Sequence, residues 1–128
     1  MKDTIYIYVD GNDNLAIEER IINSLESFVS DRKWRCPKAW VVNQKVEAGG
    51  DEFDWDLGLN IDLPDRGNEP EGWFEDIKQA VEYCTQLYLD FGCEFAIGIS
   101  DNVRGITEDI IYIDSGSPDI AYLKDFIG

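Results

Sequence analysis

The chain contains no histidine. That absence excludes imidazole acid–base catalysis, Ser-His-Asp and Cys-His nucleophile systems, and most zinc sites. Any chemistry would have to come from carboxylates, a hard cation, or Ser, Thr, Tyr and Lys. No run of eighteen apolar residues occurs, so no membrane-spanning helix is expected. The first residues, MKDTIYIYVD, enter an alternating pattern at once and show no leader, so a cytoplasmic chain is expected. Cysteines are few and odd in number. Cys36, Cys84 and Cys93 lack metal-ligand spacing and are expected to be buried, reduced thiols. Bases are scarce as well: 11 against 27 acids, a net charge of −16. Such a chain is repelled by phosphate backbones and anionic lipid heads. The expected partners are therefore cations or basic proteins, with no nucleic acid and no membrane among them.

What is present is unevenly placed. Between Glu47 and Asp76 stand eleven acids and one base, Arg66. The bases gather instead in DRKWRCPK, residues 31–38. That stretch reads as the solvated end of a helix, where Arg32 and Lys33 suit the negative dipole end. The 128 residues, 44% of them apolar, suffice for one core, and a single domain over 1–128 is expected.

Periodicity sets the elements. TIYIYVD (4–10) alternates: Ile5, Ile7 and Val9 point one way, Tyr6, Tyr8 and Asp10 the other. GNDN then turns and can cap a helix. Over 15–30, Ile17, Ile21, Ile22, Leu25, Phe28 and Val29 share a helical stripe, and Pro37 forbids continuation. A strand is predicted over 38–48, a turn at GGDE, and a second strand over 53–63. In the latter, Phe53, Trp55, Leu57, Leu59, Ile61 and Leu63 face inward. Residues 72–91 form a second helix stopped by Gly92. Strands follow at 93–100 and 106–114. A last helix is capped by Ser117, with Pro118 in its first position and Asp119 beside it. The order is β-α-β-β-α-β-β-α. The predicted class is α+β, a split β-α-β (ferredoxin-like) sheet with its helices on one face and a fifth strand extending the 93–100 edge. The other face is left open, with Tyr6, Tyr8, Asp54, Asp56, Asn60 and Asp62 on it.

Residues 49–53 spell GGDEF and sit in a predicted hairpin, 39 residues after Asp10 at the end of the first strand. In this the chain resembles diguanylate cyclases. The resemblance implies that Gly49 and Gly50 approach GTP, that Asp51 and Asp10 hold Mg²⁺, and that Glu52 lies near the chemistry. Hard cations do take carboxylate oxygens, and glycine lets backbone come close to phosphate. The rest of the family pattern is missing. GNDNLAIEERIINS replaces the segment that grips guanine and phosphate, SDNVRGIT offers only Arg104, and no Arg-x-x-Asp precedes the glycines. A turn explains all five letters: Gly-Gly permits positive φ, Asp and Glu are solvated, and Phe53 opens the next strand. No catalytic residue, cofactor or metal is therefore assigned, and a metal-dependent nucleotide enzyme stands as the alternative.

The row DEFDWDLGLNID says more. A solvated sheet face needs polar residues but not uniformly acidic ones, since like charges across strands destabilise. Acidity alone would keep the chain soluble. Acids mixed with aromatics fit a surface for a basic protein: rings supply buried area, carboxylates steer and pair with Arg and Lys. The candidate partner-binding set is Tyr6, Tyr8, Asp54, Asp56, Asn60, Asp62, Glu69, Glu71 and Trp73. In size, acidity and layout the chain resembles the immunity proteins that protect bacteria from polymorphic and contact-dependent toxins. The resemblance implies a basic cognate toxin, a nuclease by preference, whose cleft these acids occlude. A DNA mimic is the neighbouring reading: carboxylates on every second strand residue repeat at about 6.6–7 Å, near the spacing of phosphates. Ser115 and Ser117 read as turn and cap, not nucleophiles, for want of a base.

Overall fold

A computed structural model of the chain describes residues 3–10, 15–47, 53–65, 67–101 and 106–127; for 45–47, 53–55 and 106 it describes the backbone alone. The elements run β1 (Asp3–Val9), α1 (Glu18–Asp31), β2 (Lys38–Glu47), β3 (Phe53–Asp62), α2 (Trp73–Phe91), β4 (Phe95–Asp101), β5 (Ile106–Ile113) and α3 (Ile120–Ile127). One five-stranded sheet is ordered β2-β3-β1-β4-β5, and every neighbouring pair is antiparallel. This is the split β-α-β arrangement the periodicity predicts, with β5 added as a hairpin on β4.

Strand alternation decides the layers. Ile5, Ile7 and Val9 of β1 are buried with Leu57, Leu59 and Ile61 of β3 and Phe95 and Ile97 of β4. The helices cover that face with Ile21 and Leu25, with Ile77, Val81 and Cys84, and with Leu123 and Ile127. The three cysteines are buried and unpaired. Gly92 ends α2 at φ 75°, and its N–H donates to the Tyr88 carbonyl at 2.7 Å. A residue with a Cβ would be strained there. The backbone course of 53–62 matches the predicted strand. The side chains of Phe53, Asp54 and Trp55, the GNDN and GGDE turns, and residues 102–105 of DNVRG lie outside the described residues.

Helix ends depart from the prediction. α1 begins at Glu18, not residue 15, and Leu15 is 70% exposed. α3 begins at Ile120. Asp119 caps it by accepting the Tyr122 N–H at 3.0 Å, whereas the Ser117 N–H turns to Ser115 Oγ. The capping acceptor is a carboxylate at the positive end of the helix, which strengthens the bond.

The DRKWRCPK segment also differs from its reading as a solvated end. Asp76, in the first turn of α2, is 0% exposed. Its Oδ1 accepts Arg32 Nε at 3.1 Å and Nη2 at 2.8 Å. Its Oδ2 accepts the N–H groups of Arg35 at 2.6 Å and Cys36 at 2.8 Å. One carboxylate thus ties the end of α1 and the approach to β2 onto the start of α2. Burying a charge is costly, and four donors offset it. Beside it, burial above all, then the Asp76 charge, pushes the Cys36 thiol up to about 12.

Removing the carboxylate leaves a guanidinium and two N–H groups without their acceptor. Asp76→Ala is expected to cost about 3–5 kcal/mol in denaturant unfolding. A loss under about 1 kcal/mol would contradict the role given to this contact. Arg32→Lys, which supplies no second donor in a fixed fork, should also destabilise.

Candidate protein-binding face

The face opposite the helices is built by register. Three transverse rows cross it. Lys38, Asp62, Thr4, Ser100 and Thr107 make the first; Trp40, Asn60, Tyr6, Gly98 and Asp109 the second; Val42, Gly58, Tyr8, Ala96 and Tyr112 the third. Asp56 stands one step beyond, opposite Gln44. No described helix packs on these rows.

The side chains bond to one another across the strands. Thr4 Oγ1 donates to Asp62 Oδ1 at 2.8 Å, and Tyr8 Oη to Asn60 Oδ1 at 2.6 Å. Tyr6 Oη donates to Asp109 Oδ1, and Tyr112 Oη to Asp109 Oδ2 at 3.1 Å. The Tyr6 and Tyr8 rings stack at 5.0 Å. Tyr6 lies flat because its neighbour is Gly98. A Cβ there would stand 2.1 Å from Tyr6 Oη and 2.3 Å from the Glu108 carbonyl oxygen. Gly58 serves the backbone instead, since a Cβ would fall 1.9 Å from the Ile7 carbonyl oxygen. Tyr6 is thereby only 9% exposed, the floor of the face more than its surface. At the β2 corner a base joins the acids: Lys38 Nζ lies 4.8 Å from the centre of the Trp40 ring.

β5 reaches this face through an irregularity. The register shifts between Ile97 and Gly98: Ile97 pairs with Ile111, but Gly98 with Asp109. Ile110 is the extra residue of a β-bulge. Asp109 and Tyr112, three apart, consequently share the open face. Sequence reading missed both. The signal was present in ITEDIIYID, where two adjacent isoleucines break the two-residue period.

The candidate set divides. Tyr6, Tyr8, Asp56, Asn60 and Asp62 lie together on the open face, and the backbone of Asp54 continues the row. Glu69, Glu71 and Trp73 do not join them. Leu63 bonds the Asp3 carbonyl, and the chain then leaves the sheet for the helix layer. Glu69 accepts the Gly67 N–H at 2.7 Å in that loop. Trp73 opens α2 and packs on the core, its ring edge-on to Phe74 and its carbonyl accepting Cys36 Sγ at 3.6 Å. The helical stripe that buries Ile77 and Val81 draws Trp73 inward too.

Of the residues implied by the cyclase resemblance, Asp10 is exposed at the end of β1, with its N–H on the Glu94 carbonyl at 2.8 Å. Gly49, Gly50, Asp51 and Glu52 lie outside the described residues. Among the described residues, no three His, Cys, Asp or Glu stand close enough to hold a metal ion, and no helix is long and apolar enough to cross a membrane. No family model, curated protein or solved structure matches the chain.

Electrostatics favour neutral phenols on this face. Burial first, then the bond to Asp109 and its charge, raises the Tyr6 pKa well above the ordinary range. Burial likewise raises Tyr8, against a lowering bond to Asn60, and Asp109 raises Tyr112. A phenol with a raised folded pKa stabilises the fold fully below about pH 10, and that contribution is lost as pH rises through the folded value. Tyr6 should therefore stay protonated in the folded protein at about pH 11. Tyr6→Phe should leave the 295 nm absorbance step at that pH unchanged. A drop by one tyrosine's share of the six would contradict the assignment.

Proposed function

We propose that this chain is an acidic cytoplasmic binding protein that neutralises a basic bacterial toxin, a nuclease by preference, by covering its cleft with the open sheet face. One observation carries the reading. The face opposite the helices presents Asp56, Asp62 and Asp109 among tyrosines, and Thr4, Tyr6 and Tyr8 bond the polar groups in place. A surface already ordered loses little side-chain freedom on binding. Its carboxylates match a basic cleft, and the net charge of −16 steers the encounter. The tyrosines contribute apolar area that a purely solvated face would not need. The immunity-protein resemblance in size and acidity points the same way.

The test is growth rescue. The chain is co-expressed with a toxin domain encoded beside its gene or, where none is encoded there, with a panel of basic nuclease toxin domains. Rescue is expected, with association that slows as salt rises, because charges are screened over about 8 Å at physiological ionic strength. Asp56→Asn with Asp62→Asn leaves each side chain one acceptor oxygen, enough for the Thr4 bond to residue 62, and should slow association about tenfold at low salt. Glu19→Gln with Glu26→Gln, on the exposed face of α1, should change it little. Rescue from none of the toxins would contradict the reading. Turnover of GTP to a cyclic dinucleotide with Mg²⁺, abolished by Glu52→Ala, would replace it with the enzyme.

A further inference from the structure

Resting on that reading, we infer that the anchor of the face is a seat for an arginine of the basic partner, formed by Tyr6, Asp109 and Tyr112. The acidic row of β3 steers the partner, and this corner of β1 and β5 holds it.

Asp109 is exposed, yet its carboxylate is fixed from two sides. Tyr6 donates to Oδ1 and Tyr112 to Oδ2. A carboxylate has about four lone-pair positions, so about two remain for a bidentate guanidinium. The buried Tyr6 phenol needs an acceptor, and Asp109 supplies it. Tyr112 has no such need. It is 48% exposed, and water would satisfy its hydroxyl. Its bond to Asp109 instead sets a half-open ring beside a carboxylate whose orientation is fixed. That pairing suits arginine, whose planar group stacks on an aromatic face while its fork meets the acid. Lysine is more strongly hydrated and has no fork, so it gains less. Asp10 adds a second negative charge within electrostatic range of Tyr112.

The local construction is specific to this corner. The Ile110 bulge puts Asp109 and Tyr112 on one face, and Gly98 leaves room for Tyr6 to reach across. The β3 row has neither feature. Asp62 accepts from Thr4, and the phenol bonded to this row, that of Tyr8, is only partly exposed and turned to Asn60.

Hexa-arginine and hexa-lysine peptides serve as probes, titrated into the ¹⁵N-labelled full chain and followed by amide shifts. Hexa-arginine is expected to bind about fivefold tighter, with the largest shifts at Gly98, Asp109 and Tyr112. Asp109→Asn keeps the shape and one acceptor oxygen, for Tyr6 or for Tyr112, and turns the other into an N–H donor. It should weaken hexa-arginine about tenfold and remove the preference over lysine. Tyr112→Ala, at an exposed position, should reduce the preference without disturbing the amide spectrum elsewhere. Asp56→Asn with Asp62→Asn should weaken both peptides alike. Equal binding of the two peptides, or shifts centred on 56–62 with Asp109→Asn silent, would overturn the arginine seat while leaving the open face as the interface. Shifts confined to the helices would overturn both.

Discussion

The two-residue period of β1 divides the molecule. β1 pairs with β3 on one side and β4 on the other, so both of its faces must be resolved within the sheet. Ile5, Ile7 and Val9 go to the helices. Thr4, Tyr6 and Tyr8 are left on the opposite side, in the middle of a five-stranded sheet, where their hydroxyls need partners. The centre of the open face answers that need. Asp62, Asn60 and Asp109 accept the three hydroxyls, Gly98 makes room for one ring, and the bulge in β5 delivers the last acceptor. A one-residue slip of β1 would bury the tyrosines under the helices and expose three aliphatics, so the register is strongly specified.

Charge is arranged around this frame in two ways. Most acids stay solvated, where self-repulsion is screened and costs little per group. Two do more. Asp76 is taken wholly inside and gathers the basic 31–38 segment around itself, joining both long helices to the approach of β2. Asp109 stays at the surface, held by two phenols. The first contact is structural, and its charge is met inside the chain. The second presents a charge to solvent in a fixed orientation, which is what a binding surface requires.

Much of the architecture was legible in the sequence because it rests on local periods. The alternation in 4–10 and 53–63, the stripes of the two long helices and the stop at Gly92 each read out a repeat of two or 3.6, or a backbone conformation only glycine takes easily. Most of the losses share a cause: they depend on contacts between distant segments. Nothing near Asp76 in the chain distinguishes it from the ten other acids of 47–76; its partners lie about forty residues away. Trp73 looked available for a partner because it adjoins an acidic loop, but the α2 stripe packs it on the core. The Tyr6–Asp109 contact spans 103 residues and depends on a bulge. Asp119 replaced Ser117 as a cap because the two candidates stand two residues apart, and only the start of α3 separates them.

The most direct measurement is a hydroxyl-radical footprint of the chain bound to the basic toxin domain proposed as its partner. Radicals report side-chain exposure residue by residue, and the two layers carry well-placed reporters. Tyr112 lies on the open face at its β5 edge and Trp40 at its β2 edge, whereas Tyr122 and Phe126 are exposed on α3 in the helix layer. An open-face interface predicts that complex formation protects Tyr112 and Trp40 and leaves Tyr122 and Phe126 as reactive as in the free chain. Protection of Tyr122 and Phe126 with Tyr112 unchanged would put the partner on the helices and contradict the account.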